Sequence, residues 1–215
     1  MGPRHAAHVV DKVGGITHML ATNKIPIYVR GDPSSAAEDA WNLLIPVMHP
    51  EQRAELFFLY PARGDRKGSA WYLSWDQING PLPHVSSFTL RGDVNYRKEY
   101  GLFLCQGWLI KDCVVQGLGI RDREGHCRTG TLRIARNGAK HSFRVAAHHQ
   151  ERVPNGSYAL IGERSRGYPF IVAWTVGTFN ADTQFEKVSV LRTEDGDDMD
   201  RMYSLGLIGK WSSSS

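Results

Sequence analysis

The chain has 215 residues, of which 41% are hydrophobic and 22% charged, with a formal net charge of +4 and an isoelectric point near 9.0. A chain of this length and composition can bury a substantial core, so wholesale disorder is excluded and one main domain is expected. Three cysteines leave at least one thiol unpaired, which argues against a secreted disulfide framework. No run approaches the roughly 18 apolar residues of a transmembrane segment, so we expect no such segment and a cytoplasmic location.

The charges are unevenly distributed along the chain. Residues 111–166 contain eleven Lys or Arg against five Asp or Glu, a local charge of +6. Residues 182–201 reverse the balance, with seven acids against three bases and a local charge of −4. This order favours binding to a polyanion, or docking of one copy's acidic end on another copy's basic surface as a homo-oligomer. Two solvated surfaces without any partner would give the same counts.

Residues 1–49 are predicted to form an N-terminal arm with one helix. Residues 25–30 are apolar and β-branched enough for a short edge strand. Ser35 and Glu38 have the spacing of a capping box, and the apolar positions that follow predict a helix over residues 36–45. Pro46 then ends this helix or kinks it.

Residues 50–192 are predicted to form a β domain. Proline in a first turn at residues 49–51 favours a second helix, yet the run Leu-Phe-Phe-Leu-Tyr at residues 56–60 is more typical of a strand. Further strands are predicted at residues 70–75, 85–90, 100–110, 114–120, 131–145 (a hairpin), 157–162, 170–176 and 185–191. Short strands at this spacing, with glycine-rich turns, are typical of a mainly β fold, an antiparallel sandwich or partly open barrel. Residues 193–215 are then an acidic tail with a serine-rich end.

The clearest local signal is the hairpin at residues 131–145. Asn137-Gly138 separates two alternating runs, and both central residues of a type I′ turn need positive φ, which Asn and Gly tolerate. With the turn at these two residues, the hairpin pairs Arg136 with Ala139, Ile134 with His141, and Leu132 with Phe143. One face is then apolar, and the other carries cations.

The cationic face of this hairpin is the first candidate site. We name it the basic ribbon face and define it by Arg133, Lys140 and Arg144, with Thr131 and Ser142 between them. Such a stiff, positively charged surface suits phosphate groups of a nucleic acid or another anionic surface. Four further arginines are expected at its ends and complete the candidate nucleic-acid-binding set: Arg121, Arg123, Arg128 and Arg136. Exposed aromatic side chains would distinguish base stacking from charge attraction alone.

Cysteines and histidines provide the competing candidate. Three Cys and four His lie within 45 residues, but neither a CxxC nor an HxxxH spacing occurs, so we expect no metal site and no cofactor. Cys127 has arginine neighbours and expected loop exposure, the environment that lowers a thiol pKa. The alternative function is therefore a cysteine-dependent hydrolase in which Cys127 works with His148 or His149 as its base.

The leading hypothesis from sequence is a non-enzymatic binding or assembly protein that engages an anionic partner, with nucleic acid as the first choice. Compact β proteins of this kind occur among viral coat, matrix and RNA-binding proteins, which is an analogy of architecture only. Self-association through opposite charges is a further expectation.

Overall fold

A computed structural model describes residues 13–15, 33–61, 71–79, 92–119, 127–149, 151–163, 172–193, 195–207 and 209–212. Most of these residues belong to antiparallel strands, and the helices are few and short, so the predicted mainly β fold is confirmed. The predicted strands at residues 25–30 and 85–90 lie outside the described residues.

The elements follow one another in the order helices, strands, helix, strand. The helices are α1 (Pro33–Leu44), α2 (Pro50–Leu59), α3 (Trp75–Asn79) and α4 (Gly196–Ser204), with a 3-10 turn at Ile45–Val47. The strands are β1 (Val94–Arg97), β2 (Leu102–Gln116), β3 (Arg128–Arg136), β4 (Ala139–Ala147), β5 (Gly156–Gly162), β6 (Val172–Phe179), β7 (Phe185–Thr193) and β8 (Gly209–Ser212). Among these ranges, no helix has the length and apolar character needed to span a membrane.

Six of the strands form a ring of antiparallel pairs. Strands β2, β3 and β4 make one meander, and β5, β6 and β7 make a second. The meanders join twice, because β2 pairs with β5 and β4 pairs with β7. The β4–β7 junction consists of one residue pair, Ala146 with Arg192, so the structure is a partly open barrel. Its interior is filled by fully buried side chains that include Leu132, Phe143, Leu160 and Trp174.

Strand β2 is longer than the sequence suggests and has an irregularity in its middle. It pairs with β1 and β8 through its first half and with β3 through its last residues, while β5 runs along both halves. The register towards β5 shifts between Ile110 and Cys113, and Asp112 has a left-handed φ of 56°. The polar break that predicted two strands, at residues 100–110 and 114–120, is therefore a β-bulge within one strand.

Two predicted strands are not strands in the structure. Residues 56–60 were predicted as a strand, but Leu56 to Leu59 are the last turn of α2, whose start has Pro50 in the first turn and a capping box between His49 and Gln52. A short apolar run fits a buried helix face as well as a strand, and burial of Leu56, Phe57 and Phe58 on one helix decides it. Residues 70–75 were also predicted as a strand, whereas those described form a bend that leads into α3.

Helix α2 is attached to the outside of the barrel through its C-terminal carbonyl groups. The Thr175 hydroxyl donates to the Phe57 carbonyl over 2.7 Å, and the Lys187 ammonium donates to the Leu56 carbonyl over 2.9 Å. A cation at this position complements the negative end of the helix dipole. Burial lowers the pKa of Lys187 well below its usual value, because the charged form loses its hydration. These two contacts hold the helical layer and the barrel in a fixed relative position.

Helix α4 closes the open side of the barrel. Met199 and Met202 are fully buried and belong to the barrel core. The helix begins at a side-chain cap, in which the Asp195 carboxylate accepts a hydrogen bond from the Asp197 amide over 2.9 Å. The acidic residues near the C-terminus thus include a helix that completes the core, which the charge pattern alone did not predict.

Two side chains of α4 form hydrogen bonds with backbone groups at the edge of β4, where a neighbouring strand would otherwise pair. The Asp198 carboxylate accepts from the Arg144 amide over 2.8 Å, and the Arg201 guanidinium donates to the Ser142 carbonyl. Asp198 and Arg201 also form an ion pair of 3.0 Å, and the guanidinium lies 4.6 Å from the centre of the Phe143 ring. Backbone groups at a partly covered strand edge are satisfied in this way without another strand.

The attachment of α2 can be tested with one hydroxyl group. Thr175→Val keeps the side-chain shape but removes the donor to the buried Phe57 carbonyl, so we expect the free energy of unfolding to fall by about 1–3 kcal/mol. Urea unfolding of the full chain measures the change. Thr178→Val on the exposed side of the same strand is the control, and an equal loss in both variants would contradict the role of this hydrogen bond.

Candidate functional site

The β3–β4 hairpin has the predicted turn and register. Asn137 and Gly138 both have positive φ, 52° and 78°, as a type I′ turn requires. Nine residue pairs join the two strands, and all three predicted pairs are among them: Arg136 with Ala139, Ile134 with His141, and Leu132 with Phe143. The hairpin is therefore a fully paired ribbon whose side chains have fixed directions.

The two faces of this ribbon differ as expected. Away from the turn, the apolar side chains that point inward are buried, whereas Arg133, Lys140 and Arg144 are all exposed on the outer face. They belong to three successive outward pairs: Ala135 with Lys140, Arg133 with Ser142, and Thr131 with Arg144. Successive outward pairs lie about 7 Å apart along a strand, so the cations are spread along the ribbon.

No acidic side chain neutralises the basic ribbon face from within the ribbon. The sequences of β3 and β4 contain no Asp or Glu, and neither do β5 and the part of β2 that pairs with β3. Asp112 precedes that part of β2 at the bulge. The cations of this face are therefore not offset by an acid of the ribbon or of the strands named here, and the nearest acids described are those of α4, where Asp198 lies 2.8 Å from the Arg144 amide.

Of the other four arginines of the predicted set, one is exposed, one is buried and two lie outside the described residues. Arg136 is exposed beside the turn, but its pairing with Ala139 places it on the side of the ribbon opposite to the basic ribbon face, because it has the parity of Ile134 and Leu132. Arg121 and Arg123 lie outside the described residues. Arg128 is not part of the surface, because its side chain is only 4% exposed.

Arg128 has a structural role at the start of β3. Its guanidinium group donates hydrogen bonds to the backbone carbonyls of His149 and Glu151. These carbonyls belong to the connection between β4 and β5, which carries the chain from the first meander to the second. A buried arginine that satisfies two carbonyls holds this connection in place and is not available to phosphate groups.

His149 is buried at the same junction. Its Nε2 atom lies 3.0 Å from the Val190 carbonyl and 3.1 Å from the Ser189 hydroxyl. The carbonyl can only accept, so we assign the proton to Nε2, which leaves Nδ1 as a buried acceptor without a hydrogen-bond partner in the described part of the chain. The pKa of His149 is lowered to about 4, chiefly because burial removes hydration from the charged form. The hydrogen bond to Val190 acts in the opposite direction, and the positive charges of Arg128 and Lys187 add to the lowering.

The geometry at His149 does not make this residue a base for Ser189. The His149 nitrogen that faces Ser189 carries a proton and cannot act as its base. Cys127 is half-buried at the end of the ribbon, and it is not among the hydrogen-bond partners of His149. Cys127 and the half-buried His148 flank the last ribbon pair, Arg128 with Ala147.

In the described ranges, neither the two remaining thiols nor a cluster of metal ligands provides a further candidate site. Cys105 and Cys113 are buried, and loss of hydration raises the pKa of each thiol to about 12, so neither is a ready nucleophile. Within the described ranges, no group of three or more His, Cys, Asp or Glu is placed to hold a metal ion.

No protein-family model, curated protein or solved structure matches this chain. A function must therefore be argued from the charges and geometry of the chain itself. The basic ribbon face is the best-formed surface for that purpose, because the register fixes its cations and no carboxylate of the ribbon opposes them.

The environment of His149 predicts a pH dependence of stability. Its native pKa lies below the ordinary value of 6.5, so between pH 6.5 and 4 the unfolded chain binds a proton that the folded chain does not. Stability from this group is complete above pH 6.5 and is lost as the pH falls. We expect a loss of about 2 kcal/mol between pH 8 and pH 5, measured by urea unfolding.

The variant His149→Gln isolates this contribution, because it keeps a donor for Val190 but has no titrating group. The stability lost between pH 8 and pH 5 should be smaller in this variant than in the parent chain, and the difference should equal the contribution of His149. His141→Gln on the ribbon is the matched control. An identical pH profile for His149→Gln and the parent chain would show that His149 does not cause the dependence.

Replacement of Arg128 by Met should change the free energy of unfolding much more than the same replacement of Arg133. Arg128→Met leaves one buried and one partly buried carbonyl without their donor, so we expect a loss of more than about 2 kcal/mol in the free energy of unfolding. Arg133→Met changes an exposed side chain and should stay within about 0.5 kcal/mol. Urea unfolding compares the two, and equal stabilities would contradict the structural role of Arg128.

Proposed function

We propose that this chain is a non-enzymatic binding or assembly protein that engages nucleic acid through the basic ribbon face. The observation that carries the proposal is the set of three exposed cations, Arg133, Lys140 and Arg144, on a ribbon without a single carboxylate. Phosphate groups are the anions that such a spread of single charges binds, because each cation neutralises one phosphate and releases counterions.

The rigidity of the ribbon supports this role. Every residue of β3 is paired with a residue of β4, and the inward side chains are held in the barrel core. The backbone that carries the cations is therefore ordered before a partner arrives, and little backbone entropy is lost on binding. Arginine and lysine at fixed positions bind a phosphate backbone without reading its sequence, so we expect no strong sequence preference.

The acidic helix α4 limits where a nucleic acid can run. Asp197 and Asp200 are exposed on this helix, which covers the edge of β4. Like charges repel phosphates there, whereas the opposite edge of the ribbon pairs with a carboxylate-free part of β2. The favourable path therefore crosses the ribbon towards β2 and avoids α4.

Binding across a salt series tests this proposal. The parent chain should bind nucleic acid with an affinity whose logarithm falls linearly with the logarithm of salt concentration. Replacing Arg133, Lys140 and Arg144 together by Gln removes three phosphate contacts. We expect the slope to become shallower by about 2 to 3 units and the affinity at low salt to fall.

The control lowers the net charge by the same three units at other places. Asn79→Asp, Gln106→Glu and Gln184→Glu alter three exposed amides outside the ribbon. This variant should keep most of the parent slope, because it loses no phosphate contact. Absence of binding by the parent chain at low salt, or an equal change of slope in the two variants, would overturn the proposal.

A further inference from the structure

The turn between β1 and β2 carries the most exposed large apolar or aromatic side chain of the described residues. Tyr100 is 75% exposed, and neither its ring nor its hydroxyl has a partner in that part of the chain. The turn itself is well defined, with hydrogen bonds from the Tyr100 amide to the Arg97 carbonyl and from the Gly101 amide to the Lys98 carbonyl. Gly101 has a positive φ of 65°, which glycine adopts without strain.

Positive charge lies beside this ring. Arg97 and Lys98 are both exposed at the turn, while Glu99 is the one acid there, so the turn has a net charge of +1. An aromatic face next to cations is the combination by which proteins bind single strands of nucleic acid, since the ring stacks on a base and the cations meet phosphates. The basic ribbon face offers cations but, among its described side chains, no aromatic ring.

The hairpin that presents Tyr100 is anchored to the rest of the molecule. Tyr96 and Phe103 are paired across β1 and β2, and their ring centres are 4.8 Å apart. Phe103 in turn contacts Trp71 of the helical layer, with a centre-to-centre distance of 5.0 Å. The tip therefore has a fixed position, and an exposed ring at a fixed position loses little entropy when a base stacks on it.

The second exposed aromatic of the described residues differs in one respect. Tyr203 on α4 is 48% exposed, but its ring packs edge-on against Trp108 at 5.3 Å. The exposed part of Tyr203 is therefore the outer edge of a ring that packs against the protein. The helix that carries this ring is acidic. Tyr203 is thus a suitable control residue.

We propose that Tyr100 is a base-stacking platform and that the nucleic acid bound by this chain is single-stranded. This inference rests on the proposed function. Bases within a duplex are already stacked and cannot lie on a protruding tyrosine, whereas every unpaired base has a face that can. Arg97 and Lys98 contact the phosphates on either side of the stacked base.

Strand β2 connects this platform to the basic ribbon face. It begins beside the Tyr100 turn at Leu102, and near its other end Val114 pairs with Arg133. Twelve residues of strand span at most about 40 Å, and a stacked strand rises about 3.4 Å per nucleotide. A strand of about 12 nucleotides can therefore reach both places, so a 20-nucleotide probe is long enough.

The test compares three probes of matched length: a 20-nucleotide DNA single strand, the same sugar-phosphate strand without bases, and the corresponding duplex. The parent chain should bind the base-containing strand about 5- to 100-fold more tightly than the abasic strand, the range for one stacked base. Tyr100→Ala should abolish this ratio and leave affinity for the abasic strand unchanged. Tyr100→Phe should restore it, and Tyr203→Ala should retain it.

The outcomes separate this inference from the proposed function. Salt-dependent binding with equal affinity for base-containing and abasic strands would overturn the stacking platform and leave the basic ribbon face intact. A base preference that survives in Tyr100→Ala, or tighter binding of the duplex than of the single strand, would also overturn it. No binding of any probe would overturn both proposals.

Discussion

The junction between β4 and β7 is the constraint on which the rest of the structure depends. The other five junctions of the six-stranded ring are ladders of several residue pairs, whereas this junction has the single pair Ala146 with Arg192. A barrel that is incompletely paired exposes backbone donors and acceptors and a gap in its core. Helix α4 satisfies the backbone of β4 through Asp198 and Arg201, and its methionines fill the gap. Arg128 and His149 lie beside this junction and hold the connection between β4 and β5 in place.

Pairing around the ring also decides which charges reach the solvent. Side chains alternate between the two sides of a strand, so one register places Arg133 outward and Arg128 inward. The same sequence rule that predicts the basic ribbon face would therefore have excluded Arg128, because its position has the parity of Leu132 and Ile134. The inward arginine stabilises the barrel, and the outward cations remain available for a partner. Charge totals along the chain do not distinguish these two uses.

The sequence predicts local structure where one signal is strong and fails where distant residues decide. The Asn-Gly turn and the alternation around it predict the hairpin pair by pair. Helix α1 follows from its apolar spacing, but it begins at Pro33, so the predicted cap residue Ser35 lies inside the helix. Residues 56–60 have no such signal, and only their burial against β1 and β6 makes the helix preferable. The partners of His149 come from β7, about 40 residues away along the chain, so no spacing rule reveals them. Helix α4 was not predicted because its acidic residues suggest a solvated tail. The two methionines that lie among these acids form the buried face of the helix.

Attachment of α2 to the barrel has a consequence for cooperativity. The Lys187 ammonium on β7 is partly buried, and its acceptor is the Leu56 carbonyl near the end of α2, which lies 131 residues earlier in the chain. Separation of the two layers would break the hydrogen bonds of Lys187 and Thr175 to α2 and would expose the apolar surface that Phe57 and Phe58 bury against the barrel. The helical layer and the barrel therefore gain and lose their structure together, as a single cooperative unit.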